Sequence, residues 1–281
     1  MKEGRASTTA IFVAWARGLG REVHDALAPE VLPAPLALHV SANQRFPTAA
    51  APLKWLARAA TFGLVDHIAL RTMAIDAALR DAIDDGIDRL VILGAGLDSR
   101  AWRLPWLAAV DVIEVDHPAT QALKREAASP PVARSVEFVS VDFERERLVD
   151  RIAADPRPTF WIWEGVTPYL EPVAIESTLR DLAELSSPGS VLAMTYATPE
   201  VTPVPLPGVR AIVELGFRTL GEPLRGLTTP DETAARLHRF GFEVVRDTDQ
   251  RAWAEGRTLE PTLAIAYRAE RLSISTRSRS L

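Results

Sequence analysis

Short apolar runs and longer amphipathic segments alternate along the chain from residue 88 onward. The runs are rich in Val, Ile and Trp, which is typical of buried strands, and the segments between them have helical spacing. This alternation predicts a doubly wound, mostly parallel sheet whose last two strands are close enough in sequence to be antiparallel neighbours. The predicted strands are residues 89–93, 110–115, 136–141, 159–163, 190–196, 242–247 and 262–268, and the predicted helices are residues 117–128, 144–154, 172–185 and 231–240.

The residues before the first strand have a helical pattern. A long helix is predicted over residues 63–86, where apolar residues recur at helical spacing. Residues 1–62 are too apolar to be a free tail, so we expect them to form a helical cover over another part of the domain. Within them we predict a helix over 9–19, a proline-punctuated connector over 24–35 and a polar, proline-bounded loop over 41–52.

Two segments break the strand–helix pattern further along. Residues 197–229 contain five prolines between positions 199 and 223 and are predicted to be an insertion after the fifth strand, with one helix over 209–220. Residues 271–281 are rich in Ser and Arg and are predicted to be a disordered tail. We therefore expect one domain over residues 1–270, with a ligand-binding core over 63–270.

Composition restricts the classes of function. The chain has 281 residues, no cysteine, and a formal net charge of −5, so it has neither thiolate metal sites nor a strongly basic surface for nucleic acid. Charged residues interrupt each apolar stretch before it reaches the ~20 residues of a membrane span, and no signal peptide is recognisable. These features predict a cytoplasmic protein with a small-molecule substrate and neither a nucleic-acid nor a membrane partner.

The first strand ends in a glycine turn. Gly94 and Gly96 follow the run 90–93, and glycine there can adopt a positive φ and lets a ligand approach the backbone. The next strand ends in Asp116, which is placed to accept hydrogen bonds from ribose hydroxyls. A dinucleotide fingerprint would have a third glycine where this chain has Ser99. The alternatives are an ordinary strand–helix turn and a site for a nucleoside without pyrophosphate, such as S-adenosylmethionine.

Three consecutive strands end in an acid: Asp116, Asp142 and Glu164. In an open parallel sheet the ligand crevice lies outside the carboxyl ends of the strands, so the three should line one crevice. We expect Asp116 at the ribose, Asp142 at the adenine amino group with Phe143 beside the ring, and Glu164 near the sulfonium or amino group. The alternative for each acid alone is a cap for the following helix.

Arg71 lies on the apolar stripe of the helix predicted over 63–86. A buried arginine must be paired, because an uncompensated buried charge costs several kcal/mol. Its partner is either a structural carboxylate or the carboxylate of a ligand, which a guanidinium binds well through two parallel hydrogen bonds.

Four sequence blocks resemble the leucine carboxyl methyltransferase family, which includes bacterial O-methyltransferases of secondary metabolism. They are LGAGLDSRAWRL, VIEVDHP, FVSVDFE and WIWEGVTPYLEP, in order and at suitable spacing, with ALRTMAID upstream. The resemblance implies a seven-stranded, Rossmann-like class I methyltransferase fold and S-adenosyl-L-methionine as cofactor. The residues that match the family's contacts to this cofactor are Arg71, Gly94, Asp116, Asp142, Phe143 and Glu164, with Gly96 in the same turn.

The candidate catalytic residues are Tyr169 and His67. Tyr169 follows Glu164 within the last block, and His67 precedes Arg71 by one helical turn. A carboxylate acceptor needs no general base, whereas a phenol with a pKa near 10 would gain from one. The alternatives are a core tyrosine and a surface histidine. No histidine and carboxylate cluster has the spacing of a metal site, so we predict no metal.

The resulting hypothesis is an O-methyltransferase acting on a carboxyl or phenolic oxygen of a small, partly apolar metabolite. Trp15, Phe46, Trp55 and Phe217 are possible apolar walls of its substrate pocket. Two other classes stay open: a nicotinamide-dependent oxidoreductase on a similar sheet, which Ser99 disfavours, and a non-catalytic module that binds S-adenosylmethionine.

Overall fold

The computed structural model describes residues 8–20, 23, 25, 27–61, 63–126, 129–199, 223–255 and 269–278. Within them, seven strands form one sheet in the order β3-β2-β1-β4-β5-β7-β6, and β7 runs antiparallel to both of its neighbours. This confirms the doubly wound, mostly parallel sheet of the class I methyltransferase fold. The strands are β1 Arg89–Leu93, β2 Asp111–Asp116, β3 Ser135–Ser140, β4 Phe160–Trp163, β5 Val191–Ala197, β6 Phe242–Asp249 and β7 Glu270–Arg277.

Ten α-helices flank the sheet or precede it within the described residues. None of them has both the length and the apolar character needed to cross a membrane. They are α1 Thr8–Gly18, α2 Ala28–Val31, α3 Ala34–Arg45, α4 Ala51–Ala60, α5 Leu64–Asp84, α6 Arg100–Arg103, α7 Pro118–Arg125, α8 Pro172–Leu185, α9 Pro230–Arg239 and α10 Gln250–Ala254.

The last strand was the main error of the sequence-based prediction. Residues 262–268, predicted as a strand, lie outside the described residues, and the disorder expected of 271–281 is wrong for residues 271–277, which belong to β7. Because β7 lies between β5 and β6, the backbone on both of its edges is hydrogen-bonded to a neighbouring strand. Leu272 and Ile274 pack into the core on one face, and the small side chains of Ser273 and Ser275, which alternate with them, are also buried. A polar composition is therefore compatible with an interior strand here.

Two further predictions were wrong in the loops. The helix predicted over 144–154 is only a short 3₁₀ turn, Leu148–Asp150, because the backbone N–H of Leu148 donates to Asp181 of α8 at 2.7 Å. The loop predicted over 41–52 is confined to residues 46–50, since α3 continues to Arg45 and α4 begins at Ala51 with Pro52 in its first turn, where proline is well tolerated. The helix predicted over 209–220 lies outside the described residues.

The sheet separates two apolar layers. Strands β1 and β4 are buried along their whole length, so they form the centre of the domain. One layer packs between the sheet, α5 and the N-terminal helices, and the other packs between the sheet and α8. Alternate residues of β4 face the two layers: Phe160 and Ile162 the first, Trp161 and Trp163 the second.

One edge of the sheet collects the carboxyl ends of six strands and the start of the seventh. Strands β1 to β5 run parallel to one another, and β6 runs in the same direction because both β5 and β6 are antiparallel to β7, so the six carboxyl ends lie together. Because β7 is antiparallel to β5, its first residue, Glu270, lies opposite Ala197 at this same edge. We call it the carboxyl edge. Glu270, on the last strand, therefore lies at the same edge of the sheet as the glycine turn predicted to bind a ligand.

Replacing Leu272 by Ala tests the assignment of β7. Leu272 is 1% exposed, and truncation of a buried leucine costs about 2–5 kcal/mol, so the free energy of unfolding in urea should fall by that order. Val245→Ala is the control, since Val245 lies on the adjacent strand and is 66% exposed. Equal, small effects of the two substitutions would show that residues 271–277 are not part of the core.

Candidate active site

The glycine turn after β1 is tightly packed. Gly94 and Gly96 have φ of +63° and +51°, a region that residues with a Cβ rarely adopt. A Cβ on Gly94 would lie 2.3 Å from Cγ2 of Val166, and one on Gly96 would lie 3.2 Å from the Cβ of Ala10 in α1. The turn therefore requires glycine, and both the loop after β4 and helix α1 lie directly against it.

Asp116 connects the end of β2 to this turn. Its carboxylate accepts hydrogen bonds from the backbone N–H of Gly96 and, at 2.5 Å, from that of His117. Burial raises the pKa of Asp116, and the two backbone hydrogen bonds oppose that rise. A carboxylate has about four lone-pair positions, so Asp116 retains acceptor capacity for ligand hydroxyls.

Arg71 and Glu164 form a buried ion pair at the carboxyl edge. The Nε of Arg71 donates to Glu164 Oε1 at 2.8 Å, and Arg71 Nη1 donates to both oxygens of Glu270 at 2.8 and 2.9 Å. Two of the three guanidinium nitrogens of Arg71 are thus paired with carboxylates of the protein itself, as one of the two alternatives for Arg71 expects. The third nitrogen, Nη2, has no carboxylate partner among the described residues. It lies beside Gly165, where an added Cβ would be 3.5 Å from it.

The ion pair continues into a larger network. Arg100 donates to Glu164 Oε2 at 2.9 Å, to Asp76 at 2.7 Å and to Asp98, and Arg103 donates to Asp76 at 2.6 Å. Burial raises the pKa of Glu164, but Arg100 and Arg71 outweigh it, so its pKa lies below the usual value. Within the described residues, this hydrogen-bonded network contains three arginines, Arg71, Arg100 and Arg103, and four carboxylates, Asp76, Asp98, Glu164 and Glu270.

Asp142 occupies a turn after β3 and is more exposed than the other two acids. Its side chain is 41% exposed and accepts from the backbone N–H of Glu144 at 3.0 Å, which closes a local turn, and no α-helix follows directly for it to cap. Its own backbone N–H donates to Glu146 at 2.8 Å. Phe143 is partly buried against the layer beside α8. The adenine role of both residues stays a prediction.

His67 is not a surface histidine. It is 1% exposed, with Nδ1 2.9 Å from Oε1 of Gln250 and Nε2 2.6 Å from Oε2 of Glu270. Both ring nitrogens are engaged, so His67 is not positioned to remove a proton from a substrate. The histidine instead holds Glu270.

Tyr169 is half-buried in the 3₁₀ turn Thr167–Tyr169 that follows β4. The backbone N–H groups of Arg225 and Gly226 donate to the carbonyl of Pro168 at 2.7 and 3.0 Å. The chain that returns from the predicted insertion therefore packs on the turn that contains Tyr169. Its catalytic role stays a prediction.

Comparison with known proteins identifies the family. The sequence model of leucine carboxyl methyltransferases matches residues 10–183, more than half of the chain. The chain belongs to the leucine carboxyl methyltransferase family. A relative from Mycobacterium avium (strain 104), whose name proposes S-adenosyl-L-methionine-dependent methyltransferase activity, is 39% identical over 151 residues. That match covers 52% of this chain and 46% of the relative, so the chain spans about half the length of the curated relatives it matches.

Solved structures confirm the fold. A DUF574 family protein from Streptomyces avermitilis superposes with a TM-score of 0.59 at 17% identity, covering 97% of this chain and 98% of that one. A proposed methyltransferase from Thermobifida fusca YX superposes with a TM-score of 0.61 at 16% identity, covering 99% and 97%. At these identities the likeness concerns the fold.

Sequence reasoning missed several side chains of the charged network around Arg71 and Glu164. Arg100 and Arg103 are in the first family block, three residues apart, and that spacing on a helix could have suggested a shared partner. Asp76 follows Arg71 on α5. Glu270 and Gln250 gave no signal, because both lie beyond the family blocks and Glu270 borders the segment interpreted as a tail. No group of His, Asp or Glu side chains in the described part of the chain is arranged to hold a metal ion.

Glu270→Gln should lower the free energy of unfolding, and should lower it more near pH 6 than near pH 3. Burial raises the pKa of Glu270, but the opposing effect of Arg71 and His67 is larger and lowers the pKa to about 2, against a usual value of 4.5. A depressed folded-state pKa stabilises the fold above the unfolded-state pKa, and that stabilisation is lost as pH falls through the folded-state pKa. The free energy of unfolding of the wild type should therefore exceed that of the variant by about 3 kcal/mol near pH 6 and by less than half of that near pH 3.

Urea unfolding of both proteins at a series of pH values measures this difference. Acids outside the network of Arg71 titrate equally in the two proteins, so the subtraction removes their contribution and leaves that of Glu270 and the groups paired with it. A difference that stays constant between pH 6 and pH 3 would contradict the ionised, paired state of Glu270.

Proposed function

We propose that this chain is an S-adenosyl-L-methionine-dependent O-methyltransferase that methylates a carboxyl or phenolic oxygen of a small, partly apolar metabolite. The observation that carries the proposal is the meeting of the glycine turn, Asp116, Glu164 and Arg71 at one edge of the sheet. This is where open α/β sheets bind ligands. The family membership and the names of the relatives support the same reaction class.

The residues at the carboxyl edge offer the hydrogen-bonding groups and charges that the cofactor needs. Asp116 would accept from the ribose hydroxyls, Glu164 would face the amino group, and Nη2 of Arg71 would donate to the carboxylate. The surrounding network has one more carboxylate than arginine, which suits a ligand with an ammonium, a sulfonium and only one carboxylate. When bound, the cofactor supplies a methyl group on a sulfonium.

The chemical contribution of the protein is mainly positioning. Methyl transfer is an in-line displacement, and holding donor and acceptor in the reactive geometry is worth about 7–11 kcal/mol. Val166, which lies against Gly94, and α1, which lies against Gly96, would limit the access of water to the reacting atoms. Tyr169, in the adjoining turn, is the side chain we expect to contact the acceptor.

The contacts of His67, the candidate base, favour a carboxyl acceptor over a phenol. Both nitrogens of His67 are engaged, His117 Nδ1 accepts from the backbone N–H of Ala119, and His39 Nδ1 accepts from the indole of Trp15. Burial also lowers the pKa of His39. A carboxylate is already ionised at neutral pH and needs none of these groups as a base.

The apolar walls proposed for the substrate pocket differ in their surroundings. Trp15 is half-buried against the core, whereas Phe46 and Trp55 are 60% and 66% exposed, and Phe217 lies outside the described residues. Trp15 is therefore the strongest candidate for a wall, because its ring packs beside Phe12 on the helix that lies against the glycine turn.

Asp116→Ala should weaken binding of S-adenosylmethionine by about 1–3 kcal/mol, as expected when a buried hydrogen-bonding partner is removed. Isothermal titration calorimetry measures the change. Asp111→Ala is a matched control, since Asp111 is a carboxylate at the opposite end of the same strand. Equal affinity of the Asp116 variant and the wild type would contradict the ribose assignment.

The acceptor oxygen can be identified from the product and the rate. With a carboxyl acceptor, we expect a base-labile methyl ester and a rate that is flat from about pH 6 to 8, because the acceptor is ionised throughout. A base-stable ether with a rate that rises across this range would indicate a phenol. Methyl transfer to nitrogen or carbon, detected by mass fragmentation, would contradict an oxygen acceptor.

A further inference from the structure

Glu270 reaches the candidate site from a part of the chain that the family match does not include. The match ends at residue 183, whereas Glu270 is the first residue of β7 and Gln250 the first residue of α10. The antiparallel pairing of β7 with β5 puts Glu270 opposite Ala197, at the carboxyl edge. The position of its carboxylate thus follows from sheet topology.

Glu270 is held from two sides. Both of its oxygens accept from Arg71 Nη1, and Oε2 also lies 2.6 Å from His67 Nε2. An ionised carboxylate only accepts hydrogen bonds, so His67 Nε2 is the donor in this contact. His67 Nδ1 lies 2.9 Å from Gln250, which fixes the imidazole ring in turn. A chain of contacts therefore runs from Gln250 through His67 and Glu270 to Arg71.

The contacts of Arg71 determine which of its nitrogens can reach a ligand. The guanidinium is planar, and Glu164 at Nε and Glu270 at Nη1 restrain it at two points. The third nitrogen, Nη2, has no hydrogen-bond partner among the described residues, and the guanidinium lies beside Gly165, where an added Cβ would be 3.5 Å from Nη2 and 3.7 Å from Nη1. Without Glu270, the guanidinium would be restrained only through Glu164 and could rotate about that contact.

We propose that Glu270, oriented by His67 and Gln250, is a positioning residue that directs Nη2 of Arg71 toward the carboxylate of the bound cofactor. This inference rests on the proposed function, because it needs S-adenosylmethionine as the ligand. It predicts that Glu270 affects recognition of the ligand carboxylate specifically. A purely structural Glu270 would affect folding stability and leave ligand selectivity unchanged.

The test compares two ligands that differ only in that carboxylate. We would measure the Kd of S-adenosylmethionine and of decarboxylated S-adenosylmethionine by calorimetry, for the wild type and for Glu270→Gln. The wild type should prefer S-adenosylmethionine. The variant should lose about tenfold or more of that preference, which corresponds to one charge-assisted hydrogen bond. A Glu270→Gln variant that keeps the wild-type preference would overturn the proposal.

Asp181→Asn is the matched control. Asp181 is also a buried carboxylate paired with an arginine, Arg147, but it lies in the second half of α8, away from the helix end at the carboxyl edge. Its loss should lower stability and leave the ligand preference unchanged. If this control also lost the preference, the effect would reflect general loosening of the fold, and the specific role of Glu270 would be refuted.

His67 provides a second route if Glu270→Gln does not fold. His67→Ala removes the donor to Glu270 and should reduce the ligand preference, whereas the amide of His67→Gln can restore that donor and part of the preference. An unchanged preference in His67→Ala would overturn the proposal. A wild type that binds neither ligand would refute the proposed function itself, and one that binds both equally would refute the assignment of Arg71.

Discussion

The buried ion pair between Arg71 and Glu164 is the interaction on which the candidate site depends. It joins α5 to the end of β4. Arg100, after the glycine turn of β1, donates to Glu164, and Glu270 of β7 accepts from Arg71. Removing one partner of a buried pair costs about 3–5 kcal/mol, because the other charge is left uncompensated. The elements that meet at the carboxyl edge are therefore coupled, because the loss of one charged side chain would leave its partner buried and uncompensated.

This constraint also explains why the site contains so many charged side chains inside an otherwise apolar domain. Arg100 is 1% exposed and Glu164 is 12% exposed on its side chain, and each is compensated by several partners. Such a network is a weak source of net stability, since desolvation offsets much of the attraction. We infer that it is retained for its geometry, because it leaves acceptor atoms and one guanidinium nitrogen directed to the region where a charged nucleoside is proposed to bind.

The sequence predicted the sheet well where strands are apolar runs that end in a glycine or an acid. Six predicted strands lie within two residues of the observed ones, and the pairing requirement of Arg71 was evident from its position on an apolar stripe. The prediction failed where long-range contacts decide the structure. Three of the eight residues of β7 are serine or threonine, and the strand is stabilised by its two neighbours. Within residues 144–154, the backbone N–H of Leu148 donates to Asp181 and is not available to a helix. Glu270 could not be predicted as a site residue because its place depends on β7.

The most direct test of the account is equilibrium binding of radiolabelled S-adenosylmethionine to the purified chain, with competition by unlabelled nucleosides. The account predicts binding of one ligand per chain that is displaced by S-adenosylhomocysteine and unaffected by NADH, because the carboxyl edge has acids for a ribose and an ammonium and lacks the third glycine of a pyrophosphate site. Displacement by NADH, or the absence of saturable binding, would contradict it.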